Sequence, residues 1–180
     1  MTDRTLLPGE YAVLCVLALR PMHGYEMLSF LSGEGLDAVC PVEQSTLYTY
    51  LRNVESRGLV SWTEARVGLR PPRKTYELTA TGRELIDDWL RLPVERMREV
   101  RLEFLLKLYF LDVLDHGAVA GLLADQIRFC EGYLLMVQAH NRPEESPFRR
   151  LVARSKSSAA EATLDWLRSY AYELEPGVVH

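Results

Sequence analysis

Apolar positions in the first third of the chain recur at helical spacing. One helix is predicted over residues 7–19, where Pro8 suits the first turn and Pro21 marks the end. A second, shorter helix is predicted over residues 24–31, before a Ser-Gly-Glu-Gly break at 32–35. The apolar face of the first helix consists of Leu7, Tyr11, Leu14, Leu17 and Ala18.

A third helix is predicted over residues 43–57. Leu47, Leu51 and Val54 follow at i, i+4 and i+7 and form a narrow apolar stripe, and Gly58 is suited to end the helix in a left-handed conformation. Two short strands rich in β-formers come next, near 59–62 and 75–78, joined by the loop EARVGLRPPRK. The order helix, helix, helix, strand, basic loop, strand is typical of a winged helix-turn-helix.

The remainder of the chain predicts helices alone. Thr79 or Thr81 can cap a helix that stops near Pro93, and further helices are expected within 95–114, 118–140 and 148–174. The predicted fold is mainly α with a small β-hairpin. It divides into a DNA-binding domain over 1–92 and a helical dimerisation domain over 93–180. The apolar run FLLKLYFL favours a dimer, because a single small domain would struggle to cover so much apolar surface.

The face of the third helix opposite its apolar stripe carries short hydrogen-bonding groups rather than the usual Glu and Lys. Gln can pair with adenine and Arg with guanine, whereas hydroxyl groups more often meet phosphates. This face is predicted to enter the DNA major groove. The candidate reading residues are Gln44, Ser45, Thr46, Tyr48, Thr49 and Arg52.

Positive charge is concentrated beside this helix. Seven basic and three acidic residues lie between Arg52 and Arg83, a local charge of +4 in a chain whose net charge is −4. Basic side chains in a wing neutralise phosphates and release counterions, so the loop is predicted to grip the DNA backbone or minor groove. The candidate wing residues are Arg66, Arg70, Arg73 and Lys74.

Three segments, found in order between residues 7 and 92, resemble the PadR-type transcriptional regulators. They are HGYEM at 23–27, STLYTYLRNVESRGLV at 45–60 and RKTYELTATGRELI at 73–86. The resemblance implies a winged-helix repressor that binds DNA as a dimer and dimerises through a helical C-terminal part. Residues 93–180 are similar to the long-tailed branch of that family. Glu43-Gln44 departs from the Ser-Pro that often opens the family's recognition helix, which bears on base preference.

The expected partner is therefore an inverted-repeat DNA operator, read by a homodimer whose two reading helices lie one DNA turn, ~34 Å, apart. An alternative is a winged-helix module that binds an acidic protein instead of DNA. An enzyme is not expected, because the sequence has no nucleophile–base pairing, phosphate-binding Gly-rich loop or metal-ligand spacing. No cofactor or metal is predicted.

Aromatic residues in the C-terminal part offer a candidate pocket for a small aromatic or apolar effector. The alternative is that aromatics at helical spacing serve only as core or dimer interface. Three cysteines and no apolar run of ~18 residues indicate a reduced, cytoplasmic protein without a membrane span. The candidate pocket residues are Tyr109, Phe129, Tyr133 and Trp166.

Overall fold

The computed structural model describes residues 6–33, 35–65, 73–140 and 146–174. These residues are mostly helical, with one small antiparallel sheet, as the sequence predicts. The helices are α1 (Pro8–Leu19), α2 (Gly24–Gly33), α3 (Gln44–Ser56), α4 (Ala80–Arg91), α5 (Leu105–Asp115), α6 (Val119–Ala139) and α7 (Pro147–Glu173). The strands are β1 (Met22–His23), β2 (Val60–Ala65) and β3 (Arg73–Leu78).

The sheet has three strands in the order β1-β3-β2, one more than the hairpin predicted from sequence. Tyr76 on β3 lies opposite Met22 on one side and Trp62 on the other. β1 escapes a sequence pattern because two residues are too few to show the alternation of a strand. Its pairing ties the start of α2 to the base of the wing.

Polar side chains at the helix starts fix the helix-turn-helix. The backbone N–H of His23 donates to Oε2 of Glu26 at 2.7 Å, so the Glu of the HGYE segment holds the start of α2. Of the two possible caps for α4, the structure selects Thr79, whose hydroxyl accepts from the N–H of Gly82 at 3.0 Å. Gly58 has a φ of +69°, the left-handed conformation predicted at the end of α3.

Helix α1 lies at the centre of the molecule. Every residue from Gly9 to Leu17 is buried, because the helix contacts α2, α3, α4, α5 and β3. A helix enclosed on all sides is apolar all round, which explains why its hydrophobic face extends beyond one stripe. One continuous core of apolar side chains therefore spans both predicted domains.

The C-terminal helices pack back onto this core. A π-helical segment, Val100–Phe104, runs directly into α5, and a 3₁₀ turn at His116–Ala118 separates α5 from α6. Helices α6 and α7 form an antiparallel pair, joined across their surface by a 2.7 Å contact from Arg168 to Glu131. No helix in the described ranges is both long and apolar enough to cross a bilayer.

The prediction that a second copy covers the apolar run FLLKLYFL is wrong. Phe104, Leu106, Lys107, Leu108, Phe110 and Leu111 are all buried within the chain itself. The run faces α1, α4 and α6, so its apolar surface is already covered without a second copy. Support for a dimer has to come from another surface.

Candidate nucleic-acid interface

Helix α3 is fastened to the core by its apolar stripe. Leu47, Leu51 and Val54 are each no more than 1% exposed. The opposite side of the helix faces solvent, with Gln44 and Ser45 exposed in the first turn. The predicted division of α3 into a packing face and a free polar face is therefore what the structure has.

On the free face, the side chain of Thr49 is hydrogen-bonded both to the side chain of Arg52 and to the backbone of Ser45. The hydroxyl of Thr49 donates to the carbonyl of Ser45 at 3.0 Å, and Nη2 of Arg52 donates to the hydroxyl of Thr49 at 3.0 Å. Each residue follows its neighbour by one helical turn, so the three lie in one line along the surface. The bond to Thr49 holds the guanidinium close to the helix, while its other N–H groups are left facing solvent.

Two of the predicted reading residues also contact their own protein. Thr46 is half-buried. The ring of Tyr48 is 37% exposed and lies so close to Gly24 that a Cβ atom there would come within 3.0 Å of it. Gly24 thus lets α2 approach α3, and Tyr48 combines a packed ring with an accessible edge.

Asn53 shows a role that the sequence pattern did not reveal. Its Nδ2 donates to Oε1 of Glu10 at 2.9 Å, and Oε2 of the same carboxylate accepts from the N–H of Leu7 at 2.7 Å. Glu10 is only 5% exposed. Asn53 therefore locks α3 to the start of α1, although its spacing in the sequence suggests the polar face.

The wing is only partly within the described residues. Strands β2 and β3 pair as far as Ala65 and Arg73, whereas Arg66 and Arg70 lie outside the described residues. Nζ of Lys74 lies 3.6 Å from the centre of the Trp62 ring, a cation–π contact. The indole N–H of Trp62 donates in turn to Oε1 of Glu55 near the end of α3, at 2.6 Å.

This Trp62 contact gives Lys74 a structural partner that the basic composition of the loop could not indicate. A cation stacked on a ring keeps its charge and can still face a phosphate, but its side chain is already ordered. A second link lies at the base of the wing, where Nδ1 of His23 donates to the carbonyl of Lys74 at 2.9 Å. The wing is thereby tied to β1 and to α3.

Glu43 occupies the N-cap position of α3. Its backbone is extended, its side chain makes no capping hydrogen bond, and it is exposed. Its carboxylate lies beside the exposed Gln44, at the end of α3 from which a reading helix contacts base edges. It can accept from a cytosine amino group, but it would repel a phosphate.

The C-terminal aromatics divide into two groups. Tyr109 and Trp166 line one open cavity between α5 and α7, with a volume of about 480 Å³. Tyr170 also lines it, and burial together with the nearby carboxylates of Asp112 and Glu173 raises the pKa of this phenol. Phe129 and Tyr133, on α6, do not line this cavity; Phe129 packs against the core.

Thiol and metal chemistry have little support in the described part of the chain. Cys15, Cys40 and Cys130 are all buried free thiols, and burial raises the pKa of each of them. A raised pKa keeps a thiol protonated and therefore unreactive at neutral pH. No three His, Cys, Asp or Glu side chains within the described ranges are grouped as metal ligands.

Two family comparisons match successive parts of the chain. Residues 13–88 match the transcriptional regulator PadR-like family, and residues 100–175 match the family described as virulence activator alpha C-term. The first range contains α3 and all three strands, and the second contains α5, α6 and α7. The gap between them, residues 89–99, runs from the last residues of α4 to the segment before α5.

Similar individual proteins come from Bacillus subtilis. The negative transcriptional regulator PadR of strain 168 is 28% identical over 119 residues, which is 66% of this chain and 65% of that protein, just under two thirds of its length. The crystal structure of B. subtilis PadR with operator DNA is 24% identical, with a TM-score of 0.49, covering 95% of this chain and 100% of that one. PadR with p-coumaric acid is also 24% identical, with a TM-score of 0.43, covering 93% and 98%.

Proposed function

We propose that the protein is a dimeric repressor that binds an inverted-repeat operator, because residues 13–88 match the PadR-like family of transcriptional regulators. The observation that carries this proposal is the line of Ser45, Thr49 and Arg52, exposed on a helix whose other side is fixed in the core. A helix held in this way can enter the major groove without losing its own packing.

The residues of α3 have separable tasks in the proposed complex. Gln44 lies in the first turn, from which a recognition helix reaches base edges, and a Gln side chain can pair with adenine in a bidentate manner. Arg52 lies two turns further along and meets guanine or phosphate. The hydroxyl groups of Ser45 and Thr49 contact the DNA backbone. Tyr48 sets the distance between α2 and the DNA.

The wing supplies charge rather than sequence information. Arg66, Arg70, Arg73 and Lys74 lie in or beside the segment that joins β2 to β3 in the sequence. If a dimer makes ~6 phosphate contacts, the slope of log K against log[salt] is about −5. Binding would therefore weaken steeply as salt is raised.

The tip of the α6–α7 pair is the surface we assign to the second copy. Leu135 is 67% exposed, Met136 50%, Phe148 71% and Leu151 61%, at the end of α6 and the start of α7. Large apolar side chains grouped in this way are typical of a protein interface. A two-fold axis here leaves α3 of each copy free for one half-site.

The cavity between α5 and α7 is the site we assign to an effector that releases the DNA. Its volume of about 480 Å³ lies within the range of small-molecule sites. Tyr109, Trp166 and Tyr170 offer flat apolar contact, and Asp112 and Glu173 add negative charge, with no Lys or Arg among the described lining residues. This lining favours a neutral or cationic aromatic over an aromatic carboxylate.

Fluorescence anisotropy with a labelled duplex from the gene's own promoter tests DNA binding. Wild type should prefer this duplex over a scrambled one, and Arg52→Ala should lose roughly tenfold or more in affinity. Arg154→Ala, an exposed arginine on α7 far along the chain from α3, is the matched control and should bind as wild type does. Absence of salt-sensitive binding to either duplex would reject the proposal in favour of an acidic protein partner.

Light scattering at micromolar concentration tests the dimer. Wild type should have the mass of two chains, and Phe148→Glu with Leu151→Glu should yield one chain that still unfolds cooperatively. The exposed Val113→Glu on α5 is the matched control and should remain a dimer. A monomeric wild type would contradict this part of the proposal while leaving the reading helix untouched.

Displacement of DNA by a panel of neutral, cationic and anionic aromatic compounds tests the effector cavity. An active compound should lower DNA affinity in wild type and lose its effect in Trp166→Leu. A compound that acts equally on both proteins binds elsewhere, and this outcome would reject the assignment of the cavity.

A further inference from the structure

The segment between α4 and α5 is held by a buried glutamine. Gln126 on α6 is fully buried, and its side-chain amide makes two hydrogen bonds to the backbone of Val94. The N–H of Val94 donates to Oε1 at 2.7 Å, and Nε2 donates to the carbonyl of Val94 at 3.1 Å. This is the pattern by which one strand pairs with another, made here by a single side chain.

A buried lysine holds the same segment two residues earlier. Nζ of Lys107 on α5 donates to the carbonyl of Leu92 at 2.8 Å and lies 3.1 Å from Oε1 of Glu103. The side chain of Lys107 is only 3% exposed, and the loss of water around it lowers its pKa. The buried charge of Lys107 is nonetheless compensated, because the Leu92 carbonyl and the Glu103 carboxylate both accept hydrogen bonds from it.

The lysine site also reaches into the winged helix. Oε1 of Glu103 accepts from the indole N–H of Trp89 on α4 at 3.0 Å, and Nζ of Lys107 lies 4.9 Å from the centre of the same ring. The Trp89 ring also stacks on Tyr11 of α1, with ring centres 4.3 Å apart and planes within 3°. One connected set of contacts thus runs from α1 through α4 to α5.

Stability alone does not account for this arrangement. Apolar groups of similar shape are commonly as stable as a buried ionic group, because desolvation offsets most of the attraction. Polar groups differ from apolar ones in being directional, since each bond is made at one distance and angle. The segment from Leu92 to Arg96 is neither helix nor strand, so these side chains are what gives its backbone a defined path.

We propose that Lys107 and Gln126 are positioning residues that fix the angle between the winged helix and the C-terminal helices. In the dimer this angle sets the separation of the two α3 helices, and hence the operator spacing that the protein accepts. The inference rests on the proposed function, since spacing has meaning only for a dimer on two half-sites. It adds a determinant of specificity that contacts no DNA.

The first experiment measures, without DNA, how firmly the angle between the winged helix and the C-terminal helices is fixed. Gln126→Met and Lys107→Met remove the bonds at nearly constant side-chain size, and Thr163→Val is the matched control, removing a buried hydroxyl that bonds only to its own helix at Ala159. Amide exchange at Val94 should accelerate at least tenfold in Gln126→Met and remain at the wild-type rate in Thr163→Val. Spin labels at Glu84→Cys on α4 and Arg128→Cys on α6, diluted with unlabelled chains, should show a broader distance distribution in both Met variants.

The second experiment measures operator spacing. Duplexes carry the two half-sites with zero, one or two base pairs inserted between them, each pair turning one half-site by roughly 34°. Wild type should lose roughly 100-fold in affinity at two inserted pairs, because both half-sites can no longer be engaged at once. The Met variants should lose less than about fivefold between the same duplexes, and their affinity for a single half-site should equal that of wild type.

The outcomes separate the two proposals. If wild type binds no duplex, the proposed function is rejected. The spin-label distances then test on their own whether Lys107 and Gln126 fix the angle. Cooperatively folded Met variants with wild-type distances and wild-type spacing preference overturn the inference. If one variant fails to melt cooperatively, the other decides, because each removes a different bond to the segment. Gln126→Glu, which keeps the acceptor for Val94 and loses the donor, should give an intermediate spacing preference.

Discussion

Arg52 and Asn53 are adjacent on α3 but serve different surfaces. Arg52 bonds to Thr49 on the free face, and Asn53 bonds to the buried carboxylate of Glu10. We predict that Arg52→Ala lowers DNA affinity, reduces the salt slope by about one if the contact is to phosphate, and changes stability by less than about 0.5 kcal/mol. Urea unfolding and anisotropy on the same samples measure both quantities.

For Asn53→Ala we predict the reverse. The change leaves a buried carboxylate with one of its two partners missing, which should cost about 1–3 kcal/mol of unfolding free energy. Affinity for DNA should stay close to wild type at temperatures where the variant is folded. A variant of unchanged stability with weakened binding would place Asn53 on the reading face after all.

Glu26 makes the stability of the protein depend on pH in the acidic range. The N–H of His23, followed by the nearby Arg20, holds the pKa of this carboxyl below its usual 4.5. A depressed pKa contributes stability that is fully present above about 4.5 and is lost as pH falls through the lower, folded-state value.

The measurable consequence is a difference between two proteins. The unfolding free energy of wild type minus that of Glu26→Gln should be constant above about pH 5 and should shrink as pH falls below 4.5. Urea titrations from pH 3 to pH 7 measure it. A difference that grows on acidification would mean that Glu26 does not act as a charged cap.

The free face of α3 can be predicted from the sequence, whereas the polar contacts that anchor the helix cannot. The helical period separates Leu47, Leu51 and Val54 from the polar positions, because both sets repeat within a few residues. Asn53 and Glu10 are 43 positions apart, and Gln126 and Val94 are 32 apart. No local pattern links partners at such separations, so these pairs become visible only in the folded chain.

The start of α4 lies directly on the backbone of Leu59, the residue before β2. A Cβ atom at Gly82 would come within 2.2 Å of the carbonyl oxygen of Leu59, which already accepts from the N–H of Thr79. We predict that Gly82→Ala costs about 1–3 kcal/mol, because a backbone carbonyl that already accepts a hydrogen bond cannot move aside freely. The thermal midpoint and urea midpoint should both fall.

Gly121 is the control for this substitution. It lies in α6, is exposed, and a Cβ atom there would meet nothing within 4 Å. Gly121→Ala should stabilise the protein by about 0.5–1 kcal/mol, since alanine restricts the unfolded chain and fits a helix. Equal effects at both positions would show that contact with Leu59 is not the cause.

At the scale of elements the sequence was informative wherever a pattern was long enough. The seven helices and the β2–β3 hairpin in the described residues follow from apolar period and turn residues. The choice between Thr79 and Thr81 as a cap needed the structure, because the Thr79 hydroxyl also faces the carbonyls of Gly58 and Leu59. These contacts come from another element and leave no mark beside Thr79 in the sequence.

Over the whole molecule, the predicted domains do not have separate cores. Helix α1 contacts α5 as well as α3 and α4, so residues 1–92 alone would expose apolar surface that α5 now covers. We predict that a fragment ending at Leu92 loses cooperative unfolding or aggregates. Circular dichroism during heating measures this, and a sharp transition like that of the full chain would contradict it.

The same shared core explains why the prediction that FLLKLYFL packs against a second copy was wrong. FLLKLYFL was assigned to a second copy because composition reports how apolar a segment is and not what it faces. In the folded chain it meets α1, which comes roughly ninety residues earlier. The sequence contains another apolar run, YLLMV at 133–137, in which Leu135 and Met136 are exposed, so composition does not distinguish the covered run from the exposed side chains.

The central position of α1 has a consequence for synthesis on the ribosome. This helix is synthesised before the helices that cover it, and one of them, α5, is complete only at Asp115. At about 5–20 residues per second, α1 waits roughly 5–20 s before its apolar surface can be fully enclosed. During that interval the nascent chain presents a short, mostly apolar segment of the kind that chaperones bind, so the yield of folded protein should depend on translation rate and chaperone supply.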